Sequence, residues 1–300
     1  LNPILDNNTA VIIGNGNVAI DCARVLAKNK SEMASSDITE YSSNTIINSP
    51  IKKIYIIGRR GPLDAKFTTV EIREMGELQE CESVLSEGTL SQIPQTQDLD
   101  NLGKQYKILT SFPESNSLNT SSRKAKTIEF KFYAKPLEVL GDDKVNGVRL
   151  EINRLNKKNN VIGTGETFEL KAGLIITAIG YHGEKIDGIP FDEQSGKIIN
   201  KENIVDNNLY TAGWIARGPT GVIGTNKHDG DRVAKGIAEK KFSENKKGRS
   251  NLKDFFSENK IKYINKLDWR NINEEEIKRA NNGAPRKKFI DFDEIYKFIN

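Results

Sequence analysis

The 300 residues carry 45 basic and 41 acidic side chains, a net charge of +4 too nearly balanced to imply nucleic acid, and a 36% hydrophobic content that suffices for one large core or two ordinary ones. Two cysteines, Cys22 and Cys81, lie far apart, which leaves no CxxC redox pair, metal-ligand cluster or disulfide framework and suits a reducing compartment. No stretch approaches the roughly 20 apolar residues of a membrane span, and no charged-then-apolar targeting segment opens the chain; it begins at Leu1, so the natural start is expected to be trimmed or to lie upstream.

Ala10 to Ile13 reads as a short strand, and Val18, Ala19, Cys22, Ala23, Val25 and Leu26 fall on one helical face after it. Between them, Gly14, Asn15, Gly16, Asn17, Val18 and Ala19 fit the pattern GxGxxG/A. Gly14 permits a tight turn out of the strand, Gly16 lets a pyrophosphate approach the backbone, and Ala19 lets the helix pack near the sheet. The helix N-terminus then faces the anion with N–H groups and a favourable dipole. A purely structural turn would read the same way.

Residues 31–50 are polar and Ser-rich and read as a surface excursion; Ile54 to Ile57 form a second buried strand, which gives a βαβ unit. This strand runs into Arg59 and Arg60, with no carboxylate at its end. A ribose 2′-hydroxyl calls for an acidic residue there and a 2′-phosphate for arginine, so the pair selects NADP over NAD. Two solvated turn residues are the alternative.

Thr68 to Leu90 has a helical pattern, and residues 113–124 read as a loop. Thr127 to Ala134, Val148 to Leu155 and Glu166 to Leu170 read as an antiparallel meander, followed by a buried strand in residues 174–180 and a Gly-rich tract that suits a crossing between domains. His182 and His228 have no nucleophile motif or metal partner at a telling spacing, and no catalytic side chain is assigned.

Taken together, GNGNVAIDCARVL, IIGRRGPLDAKFTTVEIREM, NLYTAGWIARGPTGVIGTNKHDG and, more loosely, residues 268–299 resemble the adrenodoxin reductase family of ferredoxin–NADP reductases, in family order over most of the chain. The resemblance implies a mixed α/β fold: a Rossmann-like parallel dinucleotide-binding sheet with an antiparallel meander, residues 1–180, plus residues 181–300 as the C-terminal part of an FAD-binding domain. It implies that Asn15, Gly16, Asn17 and Val18 meet the NADP pyrophosphate, that Arg59 and Arg60 grip the 2′-phosphate, and that Glu71 lies at the nucleotide. Trp214, Gly221, Val222 and Ile223 are implied to meet flavin and nicotinamide, and Asp21 matches an acidic family position. Trp214 as a core aromatic, and Glu71 and Asp21 as solvated helix residues, are the plainer readings.

The implied activity is electron transfer from NADPH through FAD to a ferredoxin- or adrenodoxin-type iron-sulfur protein, in a mitochondrion or related organelle. The basic residues Lys240, Lys241, Lys246, Lys247 and Arg249 could attract an acidic ferredoxin, or form a solvated run. A flavoprotein subunit serving another acceptor, as in glutamate synthase, and a non-catalytic NADP-binding module are the alternatives. The family places an FAD-binding glycine turn about a hundred residues before its NADP turn, whereas here the NADP turn starts at Gly14. The 300 residues alone are therefore expected to bind NADP, retain no FAD and reduce no ferredoxin.

Overall fold

A computed structural model describes residues 3–92, 103–118, 124–158, 160–221, 223–240, 250–281 and 283–299. It divides into two compact units, Leu1–Ile179 with Asn265–Asn300, and Gly180–Ile264. Residues 265–300 group with residues 1–179 in the first unit.

In the first unit, β1 (Thr9–Ile13) leads into α1 (Asn17–Ala27), the short helices α2 (Lys30–Met33) and α3 (Glu40–Ile47), and β2 (Lys53–Ile57), which lies parallel to β1. Parallel neighbours need such a crossover. The excursion at 31–50 is thus helical: Asn29 forms a capping box with Glu32, and Thr39 caps the next helix. α4 (Thr69–Gly76), β3 (Cys81–Leu85), α5 (Lys104–Thr110), β4 (Lys126–Lys131), the meander β5 (Ala134–Leu140), β6 (Gly147–Leu155) and β7 (Val161–Lys171), and finally β8 (Leu174–Thr177) complete it. The parallel sheet has the order β3-β4-β2-β1-β8 and the meander β5-β6-β7 is antiparallel.

Four expectations change. The helical pattern of Thr68 to Leu90 stops at Gly76, and Cys81–Leu85 becomes a strand beside β4; a short apolar run cannot be told from a buried helix segment by periodicity alone. The expected strand Thr127–Ala134 is split at Tyr133, whose φ is 52°, so that its first part joins the parallel sheet and its end opens the meander. On α1 the buried residues are Ala19, Ile20, Ala23, Leu26 and Ala27, while Val18 and Val25 face out; the small alanines let the helix lie close to the sheet, and the valines rotate away. β8 is half-buried rather than buried, because it is an edge strand with β1 alone beside it. Of the expected loop 113–124, residues 119–123 lie outside the described residues.

Two cores result. Ile12, Ile54, Ile56, Ile128 and Phe130 pack under α1, α4 and α5, and Val11, Ile13, Ile57, Val148, Leu150 and Ala172 fill the space between the opposite sheet face and the meander. Each fully buried aliphatic contributes about 1.5–3 kcal/mol.

Beyond the meander, the same sheet face carries Glu129, which is buried. Burial works against its charge, but hydrogen bonds from Lys53 (2.8 Å) and Ser86 (2.8 Å), and the positive charges of Lys131 and Lys53, hold its carboxyl below the usual range. A depressed folded-state pKa stabilises above the unfolded value of 4.5, and this contribution is lost as pH falls through the lower folded value. Glu129→Gln should cost about 1–2 kcal/mol at neutral pH. In urea melts its gap from the parent should close below pH 4; a constant gap down to pH 3 would refute the assignment.

The second unit holds the hairpins β9 (Phe191–Asp192) with β10 (Lys197–Ile198) and β11 (Ile204–Asp206) with β12 (Leu209–Tyr210), and then α6 (Trp214–Arg217), α7 (Ile223–Ala238) and α8 (Ser250–Glu258). The chain returns to the first unit as α9 (Lys266–Lys278) and α10 (Phe292–Ile299). Lys287 and Lys288 there pair with Glu40 (3.0 Å) and Asp37 (3.1 Å). Among the described residues, no helix is long and apolar enough to cross a membrane, and no group of three or more His, Cys, Asp or Glu could hold a metal ion.

Candidate functional site

β1 has β2 on one side and β8 on the other, so its C-terminal end is the switch point where open α/β sheets bind ligands. Gly14 leaves β1 there with φ of 135°, donating its N–H to the Ile57 carbonyl at 3.0 Å. A Cβ on Gly14 would fall 2.1 Å from the Ala178 carbonyl oxygen, so glycine is required by the backbone itself. Gly16 differs: the nearest atom to a Cβ there is Lys66 Cβ, 3.9 Å away. α1 begins on Gly16 without a side-chain cap and without an acidic residue in its first turn. Its N-terminal N–H groups and positive dipole end therefore suit an anion.

The Asn15 carbonyl accepts from the Lys66 N–H at 2.8 Å, while Asn15 Oδ1 is buried and has no hydrogen-bond partner. Asn17 Oδ1 accepts from the Thr68 N–H at 2.8 Å, where Thr68 is the N-cap of α4. That oxygen is thus committed to tying α4 to the glycine turn. Val18 is exposed at the start of α1.

Arg59 and Arg60 follow β2 after Gly58, where a Cβ would lie 3.0 Å from Asn15 Nδ2. The arginine turn and the glycine turn are therefore adjacent. Both arginines are exposed, and Arg60 Nη1 is 3.5 Å from Asp64.

Glu71 sits in the first turn of α4. Its Oε2 is buried, accepts no hydrogen bond, and lies 3.5 Å from Arg24 Nη1. Arg24 also pairs with Asp21 at 2.6 Å and with Glu74. Asp21 is thus an exposed partner of Arg24 on the same helix. The sequence reading missed Arg24, whose i,i+3 spacing from Asp21 was the available signal.

Neither cysteine is a nucleophile candidate: burial pushes the Cys81 thiol up to about 12 and, helped by the Asp21 charge, raises that of Cys22.

In the second unit, Trp214 opens α6; it is 37% exposed and tilts against Tyr181 with ring centroids 5.2 Å apart. The loop after α6 is organised by Arg217. Its guanidinium bonds Asp229 (2.7 Å), Asn226 (2.7 Å), Thr220 Oγ1 (3.0 Å) and the Thr220 carbonyl. Asp229 is buried, so this pair anchors the loop to α7. The i,i+12 spacing of Arg217 and Asp229 crosses a loop and has no periodic signature, which is why sequence reading missed it. Gly221 has φ of 81°, and a Cβ there would meet Thr225 Oγ1 at 2.6 Å. Ile223 begins α7, while Val222 lies outside the described residues. Of the basic run, Lys240 places its Nζ 5.7 Å from the Tyr210 ring centroid; Lys241, Lys246, Lys247 and Arg249 lie outside the described residues.

The first unit therefore fits NADP: an uncapped helix N-terminus, open space at Gly16, an unpartnered buried Asn15 oxygen and an adjacent arginine pair. The second unit offers a half-exposed indole beside glycine backbone, which fits a flat flavin ring. A second strand, glycine turn and helix for another pyrophosphate is absent among the described residues.

No protein-family model matches the chain. It is 32% identical to the NADPH-ferredoxin reductase FprA of Mycobacterium tuberculosis, over 99% of this chain and 68% of that protein. It is equally 32% identical to the mitochondrial NADPH:adrenodoxin oxidoreductase of Salvelinus fontinalis, over 98% of this chain and 64% of the relative. The chain thus spans about two thirds of the length of these relatives. The solved structure of Mycobacterium tuberculosis FprA in complex with NADPH superposes with a TM-score of 0.84 at 33% identity, covering 98% of this chain and 68% of that one. On this identity and coverage, the chain belongs to the family of NADPH-ferredoxin reductase FprA and the mitochondrial NADPH:adrenodoxin oxidoreductases.

Proposed function

We propose that this chain carries the NADPH site and the flavin-ring contacts of an NADPH-to-ferredoxin reductase, with residues 1–180 as the NADP-binding domain and residues 181–300 as the C-terminal part of the FAD-binding domain. The observation that carries the reading is the uncapped α1 N-terminus beside the Arg59–Arg60 turn, in a chain 32% identical to FprA. The backbone of Asn15, Gly16, Asn17 and Val18 receives the pyrophosphate, Arg59 and Arg60 the 2′-phosphate, and Glu71 supplies an acceptor at the nucleotide with its charge offset by Arg24. Trp214, Gly221, Val222 and Ile223 are the residues that meet flavin and nicotinamide, and beside them Arg217 ties Thr220 to Asp229. Bound FAD supplies the two-electron to one-electron conversion. The protein's task is then positioning and solvent exclusion.

The acceptor is a ferredoxin- or adrenodoxin-type iron-sulfur protein, and the compartment a mitochondrion or related organelle; relatives bearing mitochondrial names support the latter. The test is NADPH-driven ferredoxin reduction by the natural protein with FAD bound. Ferredoxin reduction should slow with rising salt, because attraction between exposed charges is screened over roughly 8 Å at physiological ionic strength, while dye reduction should hold steady. Dye reduction without ferredoxin reduction would overturn the acceptor, and localisation of the tagged full-length protein outside such organelles would overturn the compartment.

A further inference from the structure

The meander faces the arginine turn across a cleft of about 360 Å³, lined by Arg59 and Arg60 on one side and by Lys135, Asn153 and Asn160 on the other. Three features suit this cleft to an anion. The carbonyls of residues 58–60 are all taken up by donors: Gly58 by the Ala134 N–H (3.0 Å), Arg59 by Asn153 Nδ2 (2.9 Å) and Arg60 by the Tyr133 N–H (3.1 Å). The backbone carbonyl dipoles of this turn, which would repel a phosphate, are thus bound into the wall, while Asn153 Oδ1 is buried there without a hydrogen-bond partner. Asn153 is 4% exposed and donates its own N–H to the Tyr133 carbonyl at 2.7 Å, so its side chain has a fixed post. Lys135 adds a third cation. Its acidic neighbour Glu151 is 3.5 Å away, as Asp64 is from Arg60, and both contacts are long enough to yield to a stronger anion.

We propose that the meander supplies the second half of the 2′-phosphate site. Lys135 binds phosphate oxygens directly alongside the arginines, and Asn153 is a positioning residue that keeps the Arg59 carbonyl turned away from the anion. The ligand class is a 2′-phosphorylated adenosine, and the proposal rests on the reading of Arg59 and Arg60 given above. Sequence pattern gave no hint of it, because Lys135 and Asn153 lie 75 or more residues beyond the arginines and meet them only through the β5–β6 pairing.

The test is calorimetric titration of the 300-residue chain with 2′,5′-ADP and with 5′-AMP. Lys135→Ala should weaken 2′,5′-ADP about five- to tenfold, the size of one partly exposed charge-assisted contact, and leave 5′-AMP unchanged, while Lys135→Arg restores the preference. Asn153→Ala should lower the same ratio while the protein still melts cooperatively; if that variant does not fold, the exposed Lys135 decides alone. If Lys135→Ala keeps the parent ratio while Arg59→Ala/Arg60→Ala loses it, this proposal falls and the arginine reading stands. If the double arginine variant keeps the ratio, both fall.

Discussion

Replacing Arg59 and Arg60 together with alanine should weaken NADP binding about a hundredfold and leave NAD binding nearly unchanged. A charge-assisted hydrogen bond contributes about 1.5–3 kcal/mol. Both side chains are exposed, so the low end applies, and two such contacts total about 3 kcal/mol, or two powers of ten. The contact from Arg60 to Asp64 at 3.5 Å must open on binding, which also argues for the low end. NAD lacks the 2′-phosphate and so loses nothing specific. Titration of parent and variant with both nucleotides decides: an unchanged NADP-to-NAD ratio would show that these arginines are not the 2′-phosphate site.

The two glycines of the turn should separate folding from binding. Gly14→Ala puts a Cβ 2.1 Å from the Ala178 carbonyl oxygen and 2.6 Å from its carbon, at a φ of 135° that side chains avoid. Relief would require β1 and β8 to part, although the Ala178 N–H holds the Ile13 carbonyl at 2.7 Å. The expected cost is about 3–5 kcal/mol, which at this domain size lowers the melting temperature by roughly 10 °C or more. Gly16→Ala meets open space instead, at an N-cap φ of −125° that any residue adopts. It should melt within about 2 °C of the parent, in keeping with a change of under 0.5 kcal/mol, yet bind NADP at least tenfold more weakly, because its methyl group stands where the pyrophosphate approaches. A Gly14→Ala protein as stable as the parent would refute the backbone argument, and undiminished NADP affinity in Gly16→Ala would refute the pyrophosphate placement.

The strand, glycine turn and helix at residues 10–27, and the βαβ unit that ends in Arg59–Arg60, were legible because they are local. Each of their elements is set by residues within one or two helical turns of one another, and the spacing carries the physics: small residues for close approach, alternation or i,i+4 for burial. The boundary between helix and strand near residue 80 was not legible, since Cys81–Leu85 is a strand only through its pairing with β4, and an apolar pentapeptide has no period long enough to declare itself. The same holds for the kink at Tyr133, where a single left-handed residue passes the chain from the parallel sheet to the meander.

Sequence by itself pointed to the ligand chemistry: a glycine turn suited to a pyrophosphate, an arginine pair in place of a carboxylate, and, in residues 214–223, a motif whose family resemblance implies flavin contacts. Only the tertiary structure decided which glycine the backbone requires and which it leaves open space around, because the first rests on Ala178, more than 160 residues away. It alone brought Arg24 to Glu71, locked Arg217 onto buried Asp229, and set Lys135 and Asn153 opposite the arginines. Local pattern reports the choices a residue makes with its chain neighbours, whereas contacts across strands and helices depend on where the whole backbone runs, and no short-range spacing encodes them.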